Sequence, residues 1–372
     1  MGIRRSLRWG TLLLAALAVA LAAPAAATPS SPTGLSSLVV RGHGLGHGIG
    51  LSQWGAEERA EAGWRYERIL DFYYPGTALE TAPATQVRVL LDERPTVQLG
   101  SSAPFTVRDG AGAVVRMAAG LYALDASGRL GGRTLRLPLV VRPGSVPLRL
   151  GRTGYLGELV VSANATQLRV ANRLDLEDYL VSVVSAECPG YWRADALRAQ
   201  AVASRSYALA NLRPNADFDL YPDDRSQNYH GLQKRLASAA AAVGATRGQV
   251  LRYGGAVVPA LFSAANGGLT SVPDGIWTSG ATPPYFAARP DSFDARSPNT
   301  NWGPVTLSLP AVRQAFTEIP AVVAKVSVEL NAGRRVTAVR FEGADGTTVA
   351  VGGYALQQRF GLRSTYFALA AG

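Results

Sequence analysis

Residues 185–210 read SAECPGYWRADALRAQAVASRSYALA. A carboxylate, Glu187, stands directly before Cys188-Pro189-Gly190. The run of small residues that follows reads as a helix carrying Gln200, Arg205 and Tyr207 in its interior. A lone acid at a helix junction, backed by polar groups on a tightly packing helix, holds one proton-transfer group in place. Asp175 is the natural start of the preceding helix, Leu176 to about Ala186, and the following one runs from Ala194 to about Leu212.

Strands flank this helical hairpin on both sides. From Thr85 to Asn172 the sequence alternates between apolar and polar residues, broken by glycine turns. Gln86–Leu91, Phe105–Arg108, Thr134–Val141, Glu158–Ser162 and Leu168–Val170 are the clearest strands. Beyond the hairpin, Gly248 to Thr270 reads as strands around turns. Ser308-Leu309-Pro310 opens a helix through Phe316, because proline is tolerated in a first turn. Val326–Leu330, Val336–Phe341 and Thr347–Val351 form a meander, and Tyr354–Phe360 is a last helix before Gly361. Upstream, Leu38–Arg41 is a short strand, GHGLGHGIG fills 42–50, and Ser52 caps a helix through Ala62 with Gly63 as its stop. A second short helix through Ile69, Leu70 and Phe72 ends at Tyr74-Pro75-Gly76. The expected class is α+β: mixed, mostly antiparallel sheets with a few helices around a central glutamate-bearing helical hairpin.

The first residues read as an export signal. Arg4, Arg5 and Arg8 give a positive start, Thr11 to Ala23 is apolar, and Ala25-Ala26-Ala27 offers a small-residue cleavage site. The apolar run is short for a spanning helix, so contact with a membrane is expected only through an uncleaved signal. The divisions read from the sequence are a signal peptide at 1–27, a Pro/Ser/Thr linker at 28–37, the Gly-His loop and its helices at 38–84, a β-rich part at 85–173, and the remainder at 174–372. Removing the signal lowers the net charge from +10 to +7, since three of the 37 basic residues lie in it. Only Lys234 and Lys325 are lysines, so the basicity is almost all arginine. In an exported chain that suits anionic wall polymers better than nucleic acid, though coding bias toward arginine accounts for it equally well. The single cysteine, Cys188, excludes an internal disulfide, so stability must come from the core.

Several blocks, in order, resemble the SpoIID/LytB family of bacterial cell-wall proteins. Leu176-Glu177-Asp178-Tyr179-Leu180 resembles the family's helix leading to the glutamate, and 199–207 (AQAVASRSY) is similar to its AQAVAARTY run. Gln227-x-Tyr229-x-Gly231, Thr246-Arg247-Gly248, Ser263-Ala264-Ala265-Asn266-Gly267-Gly268-x-Thr270 and Gly361-Leu362-Arg363-Ser364 match later blocks. One block is displaced. The Gly-His run with Gln53, Tyr66 and Tyr73-Tyr74-Pro75-Gly76 resembles a segment that follows the last block in sporulation members, so the chain reads as circularly permuted. Residues 38–77 are then expected beside the last helix and near Glu187.

The resemblance implies a lytic transglycosylase acting on peptidoglycan glycan strands, with Glu187 as its single acid/base. One carboxyl group protonates the glycosidic oxygen, then takes the proton of the muramic acid 6-hydroxyl as the anhydro ring closes. Two carboxylates are needed when water or the enzyme attacks; here the substrate supplies the nucleophile. Gln200, Arg205, Tyr207, Trp192, Gln227, Tyr229, Ser263, Asn266, His43, His47 and Gln53 are the candidate substrate-binding residues. Trp54, Tyr73, Tyr74 and Trp277 are further aromatics of the blocks, Trp192 being the best stacking candidate because it lies beside Glu187. The same resemblance carries a second reading, a non-catalytic module that enhances a cell-wall amidase. A thiol nucleophile at Cys188 is the third, against which stands the Pro-Gly that follows it where a catalytic cysteine usually opens a helix. No cofactor and no metal are expected: glycines between His43 and His47 argue against a helical ligand pair, and Ser226 stands where zinc-binding relatives have a cysteine.

Overall fold

The computed structural model describes residues 34–164, 166–276 and 282–372. The signal at 1–27, most of the linker and Trp277 lie outside them. Among the described residues there are seven α-helices: α1 Gln53–Glu61, α2 Tyr66–Tyr73, α3 Leu176–Glu187, α4 Ala194–Ala210, α5 Ala237–Ala245, α6 Leu309–Ala315 and α7 Gly353–Phe360. Among the described residues the strands pair antiparallel apart from one short parallel pair, Leu51–Ser52 against Phe262–Ser263. The class is α+β.

Two six-stranded sheets carry the β-rich part. One has the order Gln86–Arg94, Leu168–Asp175, Glu158–Ala163, Leu139–Arg142, Phe105–Arg108, Val114–Met117. Its apolar residues alternate, Phe105 and Val107, Leu139 and Val141, Leu159 and Val161, all buried, while Arg108 and Arg142 between strands and turns are exposed. That period of two commits one face to the core. The core continues into the second sheet through Leu99, Leu124 and Leu148, and into α3 and α4 through Leu180, Val184 and Leu197. The strand expected over Thr134–Val141 is divided into Arg133–Thr134 and Leu139–Arg142, which pair in different sheets. Pro138 explains the break, since it cannot donate to a ladder inside a sheet.

Residues 37–77 are woven into the rest of the chain. Ser37–Gly42 is the middle strand of a three-stranded sheet, between Trp302–Ser308 and Phe367–Ala371. Leu38 and Val40 join Phe341, Leu356 of α7 and Leu362 in one core cluster. Ile49, Leu51, Ala56, Ile69, Leu70 and Tyr74 form another with Ala199, Val202 and Ala203 of α4. Those three positions share one face of α4, at i, i+3 and i+4, and their small side chains let α1 and α2 lie close. The small-residue run in α4 is therefore the seat of the N-terminal block.

Candidate functional site

The site is built at the end of α3. Asp175 caps the helix, its carboxylate accepting from the Glu177 N–H at 2.9 Å. The last helical residue is Glu187, because Pro189 pushes Cys188 into extended backbone, φ −123° and ψ 142°. Glu187 is half-buried. Its Oε2 accepts from Gln53 Nε2 of α1 at 3.1 Å. Its Oε1 accepts from the Asn228 backbone N–H at 3.0 Å and from Asn228 Nδ2 at 3.1 Å. Three N–H donors from two distant segments thus hold one carboxylate in a fixed orientation, with part of it open to solvent.

The turn after Glu187 is pinned from both sides. Cys188 and Trp192 are core residues, and Trp192 meets Trp54 edge-on with ring centroids 5.3 Å apart. Glu57, one turn beyond Gln53 on α1, accepts the Arg193 N–H at 2.8 Å where α4 begins. Burial pushes the Glu57 carboxyl above its ordinary range. Burial, and then the charges of Glu187 and Glu57, push the Cys188 thiol well above its ordinary range.

Behind α1 lies a buried polar network. Asp291 pairs with Arg59 at 2.7 Å and accepts from Tyr73 Oη and Asn266 Nδ2, each at 2.7 Å. Asp294 accepts from Ser52 Oγ at 2.7 Å and the Gly267 N–H at 2.6 Å. Burial raises the Asp294 carboxyl to about 6. Ser52 also caps α1 by accepting the Gly55 N–H, so this network fixes the helix that presents Gln53 and Glu57.

Comparison with known proteins bears on residues in this region. Residues 164–253, which contain Glu187 and Asn228, match the SpoIID family, described as Stage II sporulation protein. This central segment is SpoIID-like. An uncharacterized protein of Brachyspira hyodysenteriae is 35% identical over 135 residues, 36% of this chain and 36% of that one. The amidase enhancer of Bacillus subtilis is 32% identical over 123 residues, 33% of this chain and 16% of the relative. Stage II sporulation protein D of Bacillus subtilis is 26% identical over 151 residues, 35% of this chain and 43% of the relative. The chain spans less than half the length of each.

Of the sequence-derived candidates, Gln53 meets Glu187, while those inside the SpoIID-like segment have other partners. Gln53, from outside the matched residues, is in direct contact. Arg205 is not: its guanidinium is fully buried in a two-bond pair with Glu177, at 2.8 and 2.7 Å. Glu177 opens α3 and Glu187 closes it, ten residues or about 15 Å along the axis. Gln200 is buried and donates to Ser204, and Gln227 is buried and donates to the Ser204 carbonyl. Tyr229 is a core residue whose hydroxyl donates to Asn172 at 2.6 Å. Tyr207 is half-buried and hydrogen-bonded to Ser226, with burial as the first cause of a raised phenol. Trp192 is buried, so its ring offers no face to a ligand. None of these side chains hydrogen-bonds Glu187: Arg205, Gln200, Gln227, Tyr229 and Trp192 are turned into the protein, and Tyr207 is only partly covered.

The N-terminal block reaches Glu187 through Gln53 of α1, not through the Gly-His loop at 42–50. Its histidines face the C-terminal blocks. His43 packs on Tyr366 with ring centroids 4.9 Å apart and accepts from Ser364 Oγ through its carbonyl. His47 Nδ1 accepts the Ile49 N–H, and burial followed by the charge of Arg335 lowers its pKa to about 4. Ser263 accepts the Gly48 N–H at 3.0 Å, and Asn266 belongs to the Asp291 network. Gly44, Gly46, Gly48 and Gly50 all take positive φ. At Gly48 a Cβ would lie 1.9 Å from Arg335 Nη2, so the loop needs both the backbone conformation and the missing side chain. Asn228, Glu57, Asp291 and Asp294 escaped the sequence reading, since nothing in their local pattern shows which distant group they meet.

Proposed function

We propose that this chain acts outside the cytoplasm on peptidoglycan glycan strands, as a lytic transglycosylase with Glu187 as acid/base. The observation that carries the reading is a half-buried carboxylate fixed by Gln53 and Asn228 at the open end of a helix, within a SpoIID-like segment. A protonated Glu187 gives its proton to the glycosidic oxygen as the C1–O bond breaks. The carboxylate then takes the proton from the sugar's own 6-hydroxyl as that oxygen bonds to C1. No water enters, and the proton returns to Glu187. Fixed donors orient the carboxylate without a second acid, and orientation of this kind lowers the barrier by avoiding reorganisation. Incubation with purified glycan strands, followed by mass spectrometry of the ends, tests it: anhydro-muramic ends are expected, and unchanged strands contradict it.

A second reading has its own support, the similarity to a protein described as an amidase enhancer. On that reading the site binds glycan and presents it, or the chain itself, to a partner amidase. Stimulation of an amidase by a chain that leaves glycan strands intact would favour it.

The displaced Gly-His block is proposed as a circular permutation. It supplies Gln53 to Glu187 and packs on α4, as a segment of the same domain would.

A further inference from the structure

The turn that carries Glu187 also carries the most exposed large apolar side chain among the described residues. Tyr191 is 81% exposed, whereas its neighbour Trp192 is 6% exposed. A single exposed ring is ordinary on a protein surface, but this one stands beside Glu187 on backbone that is not free to fold it away. Trp192 is locked on Trp54, the Arg193 N–H is held by Glu57, and Gly190 is so close to Leu236 that a Cβ there would lie 2.8 Å from Leu236 Cδ1. The ring is therefore presented by a rigid turn, four residues after the carboxylate.

The surroundings suggest what it meets. Gln53 and Asn228 bring carboxamides to Glu187, and the Lys234 ammonium lies 3.5 Å from the Ala186 carbonyl oxygen beside it. Carboxamides, an aromatic face and a nearby cation together match a chain of acetamido sugars with anionic substituents. Pyranose rings present C–H-rich faces that pack on aromatic rings, while their hydroxyl and amide groups take up polar partners. We propose that Tyr191 is the stacking platform for a sugar ring in the subsite adjoining the bond that Glu187 acts on. This rests on the proposed action on glycan strands. It also replaces Trp192, the aromatic that sequence proximity favoured, with the residue that has a free face. Because the platform is preorganised, its loss should weaken binding without altering the fold.

The test measures binding of peptide-free glycan strands by calorimetry in the Glu187→Gln background, where no cleavage interferes. Adding Tyr191→Ala should weaken binding about five- to tenfold, Tyr191→Trp should restore it, and melting temperatures should stay unchanged. Equal binding by the Tyr191→Ala protein, when the Glu187→Gln parent binds well, overturns the stacking role alone. It would leave the exposed ring as a contact for another protein. A parent that binds no glycan, with a wild-type chain that cleaves none, overturns the underlying reading and the platform with it.

Discussion

Cys188 sits between two carboxylates, and burial is the first cause of its raised thiol. A thiol that resists ionisation is a poor nucleophile, so this environment opposes a thiol enzyme. Native protein at pH 8 should label with an aromatic disulfide reagent only on the timescale of unfolding, and at once in denaturant. Rapid stoichiometric labelling of native protein would contradict the buried setting. Two other buried groups set a pH dependence. His47 is lowered to about 4 from 6.5, so its unfolded form binds more protons between those values. The stability that this gives is complete above about pH 6.5 and is lost as pH falls toward 4. Asp294 is raised from 3.8 to about 6, so its folded form binds more protons in that window and stability falls as pH rises through it. The two slopes oppose. Asp294→Asn should therefore steepen the loss of unfolding free energy on acidification from pH 6 to 4, by up to about 1.4 kcal/mol per pH unit. Parallel curves for variant and wild type would show Asp294 ordinary. At this scale the place of Glu187 at the end of α3 was legible, because Pro189 marks where the helix must stop. Its proposed role came from the family resemblance and not from the local pattern. Its donors were not legible: Gln53 and Asn228 are separated from it by 134 and 41 residues, and only the folded chain selects them.

The helical hairpin explains why motif residues and site residues differ. Arg205 and Glu177 fasten α4 to the start of α3, and Arg205 also donates to the Gln249 carbonyl. The pair aligns the helices whose far end carries Glu187. Arg205→Met should destabilise the fold by about 3–5 kcal/mol, because it leaves the Glu177 carboxylate without its partner. Chemical denaturation measures this directly, and a change under about 1 kcal/mol would show that the Arg205–Glu177 pair does not clasp the hairpin. The motif was visible in sequence, but an arginine on a helix of small residues reads the same whether it faces a cleft or a partner helix. The other elements divide along similar physical lines. Strands with strict alternation were legible. The α5 helix, ASAAAAVGA, has no apolar periodicity to mark a face. Trp302–Ser308 carries Gly303-Pro304, which argues against a strand; it is accommodated because this strand is an edge, where a missing N–H breaks no ladder.

On the scale of the molecule, residues 37–77 and the SpoIID-like segment make one structure. Gly372 N–H donates to the Ser37 carbonyl at 3.0 Å, so residues 36–37 and 372 lie side by side. Proximity of this kind is what a permuted connection requires. A relinked chain that starts at Ala84, runs to Gly372 and continues through a short linker into 34–83 should fold with a melting temperature close to wild type. The same chain without 34–83 loses a central strand and the burial of Ile49, Leu51, Ile69 and Leu70. Each such side chain contributes about 1.5–3 kcal/mol when fully buried, so that chain should be molten or insoluble. A folded truncated chain, or an unfolded relinked one, would show that the block does not belong to this domain. On the proposed function, Glu187, oriented by Gln53 and Asn228, is the acid/base of glycan-strand cleavage. Its most direct measurement is the rate of anhydro-muramic end formation from purified glycan strands by wild type and by Glu187→Gln, with melting temperatures recorded for both. Cleavage by wild type and none by an equally stable Glu187→Gln protein is expected; cleavage by the variant at the wild-type rate would contradict the acid/base role of Glu187.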